Sequence, residues 1–159
     1  MHVRIDDLAY PRVVALLHEH LASMRAITPP EHTYALDVTR LRAPNVTFYT
    51  VWDGEQLLGC GALKELSPTH GEVKSMRTPT ALRCRGAGRA VLTHILTEAK
   101  SRGYGRVSLE TGSQPAFAPA HTLYRSFGFV PCVPFGDYQE SPDNVFMTLD
   151  LTAWCVSLG

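Results

Sequence analysis

The dipeptide Asp53-Gly54 stands between two β-rich runs, Val46-Thr47-Phe48-Tyr49-Thr50-Val51-Trp52 and Leu57 to Leu66. β-Branched and aromatic residues suit a pleated, half-buried ribbon, and Asp-Gly supplies the backbone freedom of a tight hairpin turn. The chain is therefore committed to an antiparallel core element. A second turn signal, Ser67-Pro68-Thr69-His70-Gly71, sends it back again, and Glu72 to Thr78 reads as the third strand of a meander. The period then changes. After Gly86, the residues Val91, Leu92, Ile95, Leu96 and Ala99 recur at helical spacing, and Gly103 ends the run. Arg106 to Glu110 is again a strand. Ala116 to Phe127 is a helix capped by Gly128, and Phe129 to Pro134 and Val145 to Leu151 are closing strands around the loop Phe135 to Asn144.

Ahead of the meander, His2 to Ile5 is a short strand. Pro11 suits the first turn of a helix, where its missing N–H costs nothing, and Val13, Val14, Leu17, Leu21 and Met24 give that helix one apolar face. Thr28-Pro29-Pro30 breaks it, and Pro30 can open a second, shorter helix through Leu36 to Leu41. A meander followed by a strand–helix–strand crossover predicts an α/β chain of the α+β type, with a mixed sheet and helices on both faces. The 159 residues contain no repeat, low-complexity tract or linker, so a single domain over residues 1–159 is expected.

Charge narrows the partners. Fifteen Lys and Arg balance fifteen Asp and Glu, whereas nucleic-acid binders and polybasic membrane-surface proteins carry a basic excess. No apolar run is long enough to cross a membrane, and the N-terminus carries Asp6 and Asp7 where a signal peptide needs an apolar stretch. A cytoplasmic protein is expected, with no nucleic-acid or membrane partner. Cys60, Cys84, Cys132 and Cys155 are too widely spaced for a CxxC pair, and His18 and His20 point to different sides of a helix, so no metal site is expected.

The segment with the most chemistry is Arg83-Cys84-Arg85-Gly86-Ala87-Gly88-Arg89, between a strand and a helix. A helix N-terminus offers unpaired N–H groups and partial positive charge, glycines allow close approach, and Arg pairs with phosphate oxygens. Together they read as a pyrophosphate cradle. A glycine-containing helix start with solvated Arg has the same composition, so the surrounding pattern must decide. A Walker A loop would end in Gly-Lys-Ser/Thr, which is missing. A dinucleotide fingerprint would follow the first strand of a βαβ unit and place a third glycine where Val91 stands.

Arg83-x-x-Gly86-x-Gly88 resembles the acetyl-CoA signature Q/R-x-x-G-x-G/A of the GNAT N-acetyltransferases, and the order of elements around it agrees. Leu123-Tyr124-Arg125-Ser126-Phe127-Gly128-Phe129 is similar to that superfamily's L-Y-x-x-x-G-F segment. The segments Gly59-Cys60-Gly61-Ala62-Leu63-Lys64, Glu72-Val73-Lys74-Ser75-Met76-Arg77, Leu109-Glu110-Thr111-Gly112 and Val145-Phe146-Met147 resemble the YsnE-type bacterial acetyltransferases. The resemblance spans nearly the whole chain. It implies a mostly antiparallel mixed sheet whose central strands splay apart to admit acetyl-CoA as co-substrate.

On that resemblance, backbone N–H groups from Cys84 through Arg85, Gly86, Ala87 and Gly88 to Arg89 hold the pyrophosphate, and pantetheine runs along Met76, Arg77 and Thr78. A backbone N–H there would polarise the thioester carbonyl. Arg83, Arg85 and Arg89 could add phosphate contacts, Arg83 foremost because it occupies the signature position. The expected reaction is direct transfer of acetyl from acetyl-CoA to a primary amine of a small acceptor, without a metal.

Such a transfer needs a proton taken from the amine and one given to the CoA thiolate. Tyr124 occupies the position of the family's acid, although it also follows the apolar spacing of Ala120 and Phe127 and could be a core aromatic. Glu72, eleven residues ahead of Arg83, matches the spacing of the catalytic glutamate in the histone-acetylating branch and is the first candidate base. Glu110, near the end of the next strand, is the second, and either carboxylate could instead be a solvated strand-end charge. His121, one turn before Tyr124, reads as a surface histidine and Cys84 as structural. Ile27 to His32 and Pro134 to Asn144 would wall the acceptor pocket, with Glu31, Asp137, Glu140 and Asp143 lending negative charge and Phe135 and Tyr138 an aromatic wall. Acetylation of a protein Lys or N-terminus, or acyl-CoA sensing without catalysis, are the alternatives. The resemblance also admits a homodimer.

Overall fold

The computed structural model describes residues 1–32 and 38–156. Seven strands form one sheet in the order β1-β2-β3-β4-β5-β7-β6. They are β1 (His2–Ile5), β2 (Val46–Asp53), β3 (Gln56–Ser67), β4 (His70–Arg77), β5 (Arg106–Gly112), β6 (Val130–Pro131) and β7 (Asn144–Asp150). Four helices accompany them: α1 (Pro11–Ile27), α2 (Val38–Leu41), α3 (Ala87–Ser101) and α4 (Ala118–Ser126). All described pairings are antiparallel except β4 with β5, the crossover pair joined through α3.

The predicted order of elements is the observed one. The hairpin turns at Asp53-Gly54, with Asp53 opposite Gln56 and Gly54 at φ +58°. Three boundaries differ from expectation. The helix expected to open at Pro30 and run through Leu36 to Leu41 is a 3-10 turn at Pro30–His32 and an α-helix at Val38–Leu41, and positions 33–37 between them lie outside the described residues. The expected strand from Phe129 is reduced to Val130–Pro131, because the chain then leaves the sheet as a loop. The expected helix from Ala116 begins as a 3-10 turn at Pro115–Phe117 before α4.

Helices cover both faces. On one, Val91, Leu92, Ile95, Leu96 and Ala99 of α3 pack with Val51, Leu63, Val73 and Leu109 of the strands. On the other, Val13, Leu16 and Leu17 of α1 and Leu41 of α2 pack with Phe48, Trp52, Cys60 and Ala62. Each fully buried aliphatic side chain contributes about 1.5–3 kcal/mol, so these two layers hold the sheet rigid where the site is built.

Two irregularities shape that site. Residues 60 and 62 of β3 pair with Arg77 and Lys74 of β4, so β4 carries one extra residue there, and Ser75 takes the left-handed φ of +55°. This is a β-bulge, which turns side chains away from their regular alternation. Gly61 lies opposite it, and a Cβ at that position would stand 2.7 Å from the Met76 sulfur. The second irregularity is a fork. The β4–β5 ladder runs from His70↔Arg106 to Val73↔Leu109 and stops, although β4 continues to Arg77 and β5 to Gly112.

Candidate active site at the sheet fork

The fork leads toward the glycine loop. A 3-10 turn at Thr80–Leu82 separates β4 from it, so strand and cradle are not directly joined as the sequence suggested. Cys84 is left-handed at φ +65° and Gly86, at φ +85°, is the residue before α3. A left-handed residue costs an L-amino acid about 1–2 kcal/mol and glycine almost nothing. The first backbone bond of α3 runs from Ala90 N–H to Gly86 C=O at 3.0 Å. The N–H groups of Ala87, Gly88 and Arg89 thus have no intrahelical acceptor. The stretch from Arg77 to Arg89 itself holds four Arg and no acid. This backbone fits the pyrophosphate of acetyl-CoA.

The arginines divide. Arg83 and Cys84 are exposed, and Arg83 makes no hydrogen bond or ion pair among the described residues. Arg85 reaches Gln56 Oε1 at 3.2 Å and lies 3.8 Å from Asp53. Arg89 donates to Ser126 Oγ at 2.9 Å and stacks over Phe127. Arg77 turns toward α1, donating to Glu19 Oε1 at 2.9 Å and Ser23 Oγ at 3.2 Å. Met76 packs against the α3-side core, while Thr78 lies just past the end of β4.

At the mouth of the fork the structure gathers Glu72, Lys74, Glu110, Asn144, Tyr124 and Tyr138. Glu72 is fully buried rather than solvated. Its Oε2 accepts from Lys74 Nζ at 3.1 Å and from the Tyr138 hydroxyl, and Lys74 also donates to that hydroxyl at 2.5 Å. Among the described residues Glu110 accepts from a single neutral donor, Asn144 Nδ2 at 2.8 Å. Burial pushes its carboxyl above the ordinary range, and the Glu72 charge adds to this. The Asn144 hydrogen bond and the Lys74 charge oppose it.

Tyr124 is almost fully buried, packed at 5.8 Å from the Phe129 ring, and its hydroxyl has no hydrogen-bond partner among the described residues. Burial, then the charge of Glu110, pushes its phenol well above the usual value. At neutral pH it therefore carries its proton, the form a general acid requires. His121 is committed elsewhere, its Nε2 lying 2.8 Å from the Gly112 carbonyl at the end of β5.

The loop after β6 folds over this region. Phe135, Tyr138 and Phe146 of β7 form an edge-on aromatic cluster with centroids 5.1–6.0 Å apart. Asp137 and Glu140 are exposed, as is Glu31 on the opposite segment. Asp143 approaches Gln114 at 3.4 Å. Between residues 27–32 and α2, positions 33–37 lie outside the described residues.

Sequence reasoning gave no role to Lys74, Asn144 or His20, and gave Tyr138 only a place in an aromatic wall. Lys74 and Tyr138 are 64 residues apart and no motif links them. Asn144 opens β7 and reaches Glu110 only because those strands pair, with Gly112 opposite Asn144. His20 of α1 is half-buried with its Nδ1 out of solvent and unpartnered among the described residues, and desolvation with the nearby Arg77 charge lowers its pKa to about 4. The one available signal was alternation: Glu72 and Lys74 share a face of β4.

Comparison with known proteins gives a consistent result. Residues 13–129 match the acetyltransferase (GNAT) family. The chain is 54% identical to the N-acetyltransferase YsnE of Bacillus subtilis, over 95% of this chain and 100% of the relative. It is 50% identical to the N-acetyltransferase YedL of Escherichia coli, over 94% of each. Among solved structures, a Bacillus subtilis acetyltransferase in complex with CoA superposes with a TM-score of 0.65 at 18% identity, covering 94% of this chain and 97% of its own.

Proposed function

The chain belongs to the GNAT family as an acetyl-CoA-dependent N-acetyltransferase, and we propose that it passes the acetyl group directly to a primary amine of a small acceptor, with Glu110 as base and Tyr124 as acid. One observation carries this assignment: beside the unladdered ends of β4 and β5, a desolvated carboxylate with a single neutral hydrogen-bond donor interacts electrostatically with an unpartnered, protonated phenol.

The reading proceeds from binding to chemistry. Acetyl-CoA lies in the fork, its pyrophosphate on the N–H groups of Ala87, Gly88 and Arg89 and its pantetheine along Met76, Arg77 and Thr78. The segment from Cys84 to Gly86 bends the backbone around the phosphates. Arg83 supplies charge from the rim, and Arg85 and Arg89 lend theirs if they leave Gln56 and Ser126. Glu110 takes a proton from the acceptor ammonium, and the free amine attacks the thioester carbon. The tetrahedral intermediate collapses with cleavage of the C–S bond, the thiolate of CoA receives the proton of Tyr124, and the resulting phenolate takes the second proton of the former amine nitrogen, leaving the neutral amide.

The two proton transfers reinforce each other. While Glu110 is ionised, its charge makes Tyr124 a reluctant donor. Once Glu110 has accepted the amine's proton, that charge is gone and the phenol becomes more acidic as the thiolate departs. Glu72, matched by spacing to another branch's base, is the poorer choice in this reading, because its Oε2 is already engaged by Lys74 and Tyr138. Direct transfer leaves Cys84 and His121 without chemical work. The protein would act in the cytoplasm, alone or as a homodimer.

The test is a screen for CoA thiol release from acetyl-CoA across polyamines, amino acids, aminoglycosides and peptides. With the best acceptor, Glu110→Gln should lower turnover roughly 100-fold and abolish the acid limb of the rate profile. That limb in the unaltered enzyme should lie above the ordinary carboxylate range, because the Glu110 carboxyl is shifted upward. An unchanged acid limb in the variant would remove Glu110 from the mechanism. Release with peptides but no small amine would replace the small acceptor by a protein Lys or N-terminus.

A further inference from the structure

A buried carboxylate, Glu72, a half-buried one, Glu110, and one ammonium meet at the fork. The strand register places them. Glu72 pairs with Ser108 and Val73 with Leu109, where the ladder ends. The next residues, Lys74 and Glu110, are the first on either strand without a partner across the β4–β5 gap. They continue the face occupied by Glu72 and Ser108, because alternate residues of a strand share a face. Lys74 is itself only 8% exposed. Its Nζ is fixed by the Glu72 carboxylate at 3.1 Å and the Tyr138 hydroxyl at 2.5 Å, and its charge acts on Glu110 across the gap.

We propose that Lys74 is a positioning residue of the transfer reaction: held by Glu72 and Tyr138 at the mouth of the fork, its ammonium is the counter-charge that keeps Glu110 a carboxylate beside the incoming amine.

Charge arithmetic shows why the cluster needs it. Glu72, Glu110 and Lys74 sum to −1. Without Lys74 the sum is −2, and the like charge of Glu72 then favours the neutral form of Glu110 with no cation to oppose it. Asn144, a neutral donor, is the one hydrogen-bond partner that Glu110 keeps among the described residues. A protonated Glu110 cannot accept the amine's proton. Tyr138 has a separate task. It lies on the loop between β6 and β7 and receives from Lys74 while donating to Glu72. It thereby anchors the loop to β4 and stops the ammonium from swinging out to solvent.

The charged and titratable groups around Glu110 come from each neighbouring element. β4 contributes Lys74 and Glu72. α4 contributes Tyr124, which stays protonated at neutral pH, and His121, which holds the Gly112 carbonyl. The loop before β7 contributes Tyr138 and Asp143. Of these, Lys74 is the one cation whose charge counters the upward shift of Glu110.

The inference rests on Glu110 being the base, but its test does not require an acceptor. The protein, labelled with 13C at glutamate carboxyls, is titrated by NMR, and the Glu110 resonance is identified by its loss in Glu110→Gln. Lys74→Met should raise the apparent pKa of Glu110 by about one unit or more, and Lys74→Arg should restore it. Glu72→Gln should move it the other way, since it removes a like charge and frees the ammonium. Opposite signs from the two halves of one ion pair are the decisive outcome, because a merely structural disturbance would move Glu110 in the same direction in both. No shift in Lys74→Met, or shifts of one sign, overturns the proposal. If Lys74→Met fails to fold, Lys74→Gln is titrated in its place, and a Glu110 pKa that does not rise in it overturns the proposal. Should the titration behave as stated while Glu110→Gln keeps its acid limb in thiol release, the assignment of the base falls and the counter-charge stands.

Discussion

The two ends of the fork are built from different materials. At the proposed cradle the useful atoms are backbone N–H groups, Gly86, Ala87 and Gly88 have little or no side chain, and Arg83, Cys84, Arg85 and Arg89 are exposed. A few ångströms of chain supply everything, and the left-handed Gly86 sets the geometry. At the proposed catalytic end the atoms are those of side chains, buried at Glu72, Tyr124 and Asn144 and half-buried at Lys74, Glu110 and Tyr138, drawn from β4, β5, α4, β7 and the loop before it. The first arrangement tolerates solvent, because a phosphate is strongly charged and several weak contacts suffice. The second excludes it, because a carboxylate shifts toward neutral pH only where water is scarce. Substitutions at the cradle should thus change acetyl-CoA binding by modest factors, and those at the cluster should change turnover or stability by large ones.

Tyr124→Phe is the strongest test of that division. It removes one oxygen from the buried end and should slow turnover by roughly 10- to 1000-fold. Acetyl-CoA affinity, measured by calorimetry, should stay within about twofold. Loss of affinity together with turnover would mean that Tyr124 shapes the binding surface rather than the proton transfer.

His20 reports on the buried side through stability. In the folded chain its pKa is lowered to about 4, against 6.5 for the ordinary group. The unfolded chain therefore takes up a proton first as pH falls, and the folded state loses ground from about pH 6.5 downward. The loss grows to about 3 kcal/mol by pH 4, where the folded histidine itself begins to charge. Urea unfolding at pH 7 and pH 4.5 should show this loss in the unaltered protein and much less of it in His20→Phe. Equal pH dependence in the two would mean that His20 is solvated and that α1 does not seal this side of β4.

What the sequence made legible follows the same division. Asp53-Gly54, Gly86, Gly103 and Gly128 announce turns and helix ends through their own backbone preferences, and all four glycines have positive φ. Periodicity located α1 and α3 because burial imposes it over ten or more residues, and β-branched runs between turn signals located the longer strands. The proposed cradle could be picked out as a motif because its seven residues are contiguous. The cluster was not, since Lys74 and Tyr138 come together only after the loop folds back over the sheet. Glu72 illustrates the limit. Its spacing suggested a base, whereas its environment is an ion pair contributed by Lys74 two residues on and a phenol from far along the chain. Ser75 is a further case, a non-glycine residue at φ +55° whose bulge nothing in the local pattern signals.

Gly86→Val tests the cradle as backbone. Valine at φ +85° costs at least the 1–2 kcal/mol of an ordinary left-handed residue. Either the loop relaxes and the N–H groups of α3 lose their aim, or the strain is borne by the complex. Acetyl-CoA should bind about 10-fold more weakly, while turnover at saturation stays close to that of the unaltered enzyme. A large fall in turnover with unchanged affinity would join the two ends of the fork into one unit.

Arg83→Ala should have the smallest effect and be the most sensitive to conditions. Its guanidinium is exposed and makes no ion pair among the described residues, so it is free to meet a phosphate but must do so through water of high dielectric. Exposed ion pairs contribute about 0.2–1 kcal/mol, which corresponds to a rise in the acetyl-CoA KM of at most about fivefold. The charge term is screened beyond a Debye length of about 10 Å at 0.1 M salt, so the difference should shrink as sodium chloride is raised. Backbone N–H contacts at close range are screened far less, and Gly86→Val should keep most of its defect in the same titration. If the two variants respond to salt alike, the arginines and the backbone are not separate contributors, and the cradle acts through its overall potential.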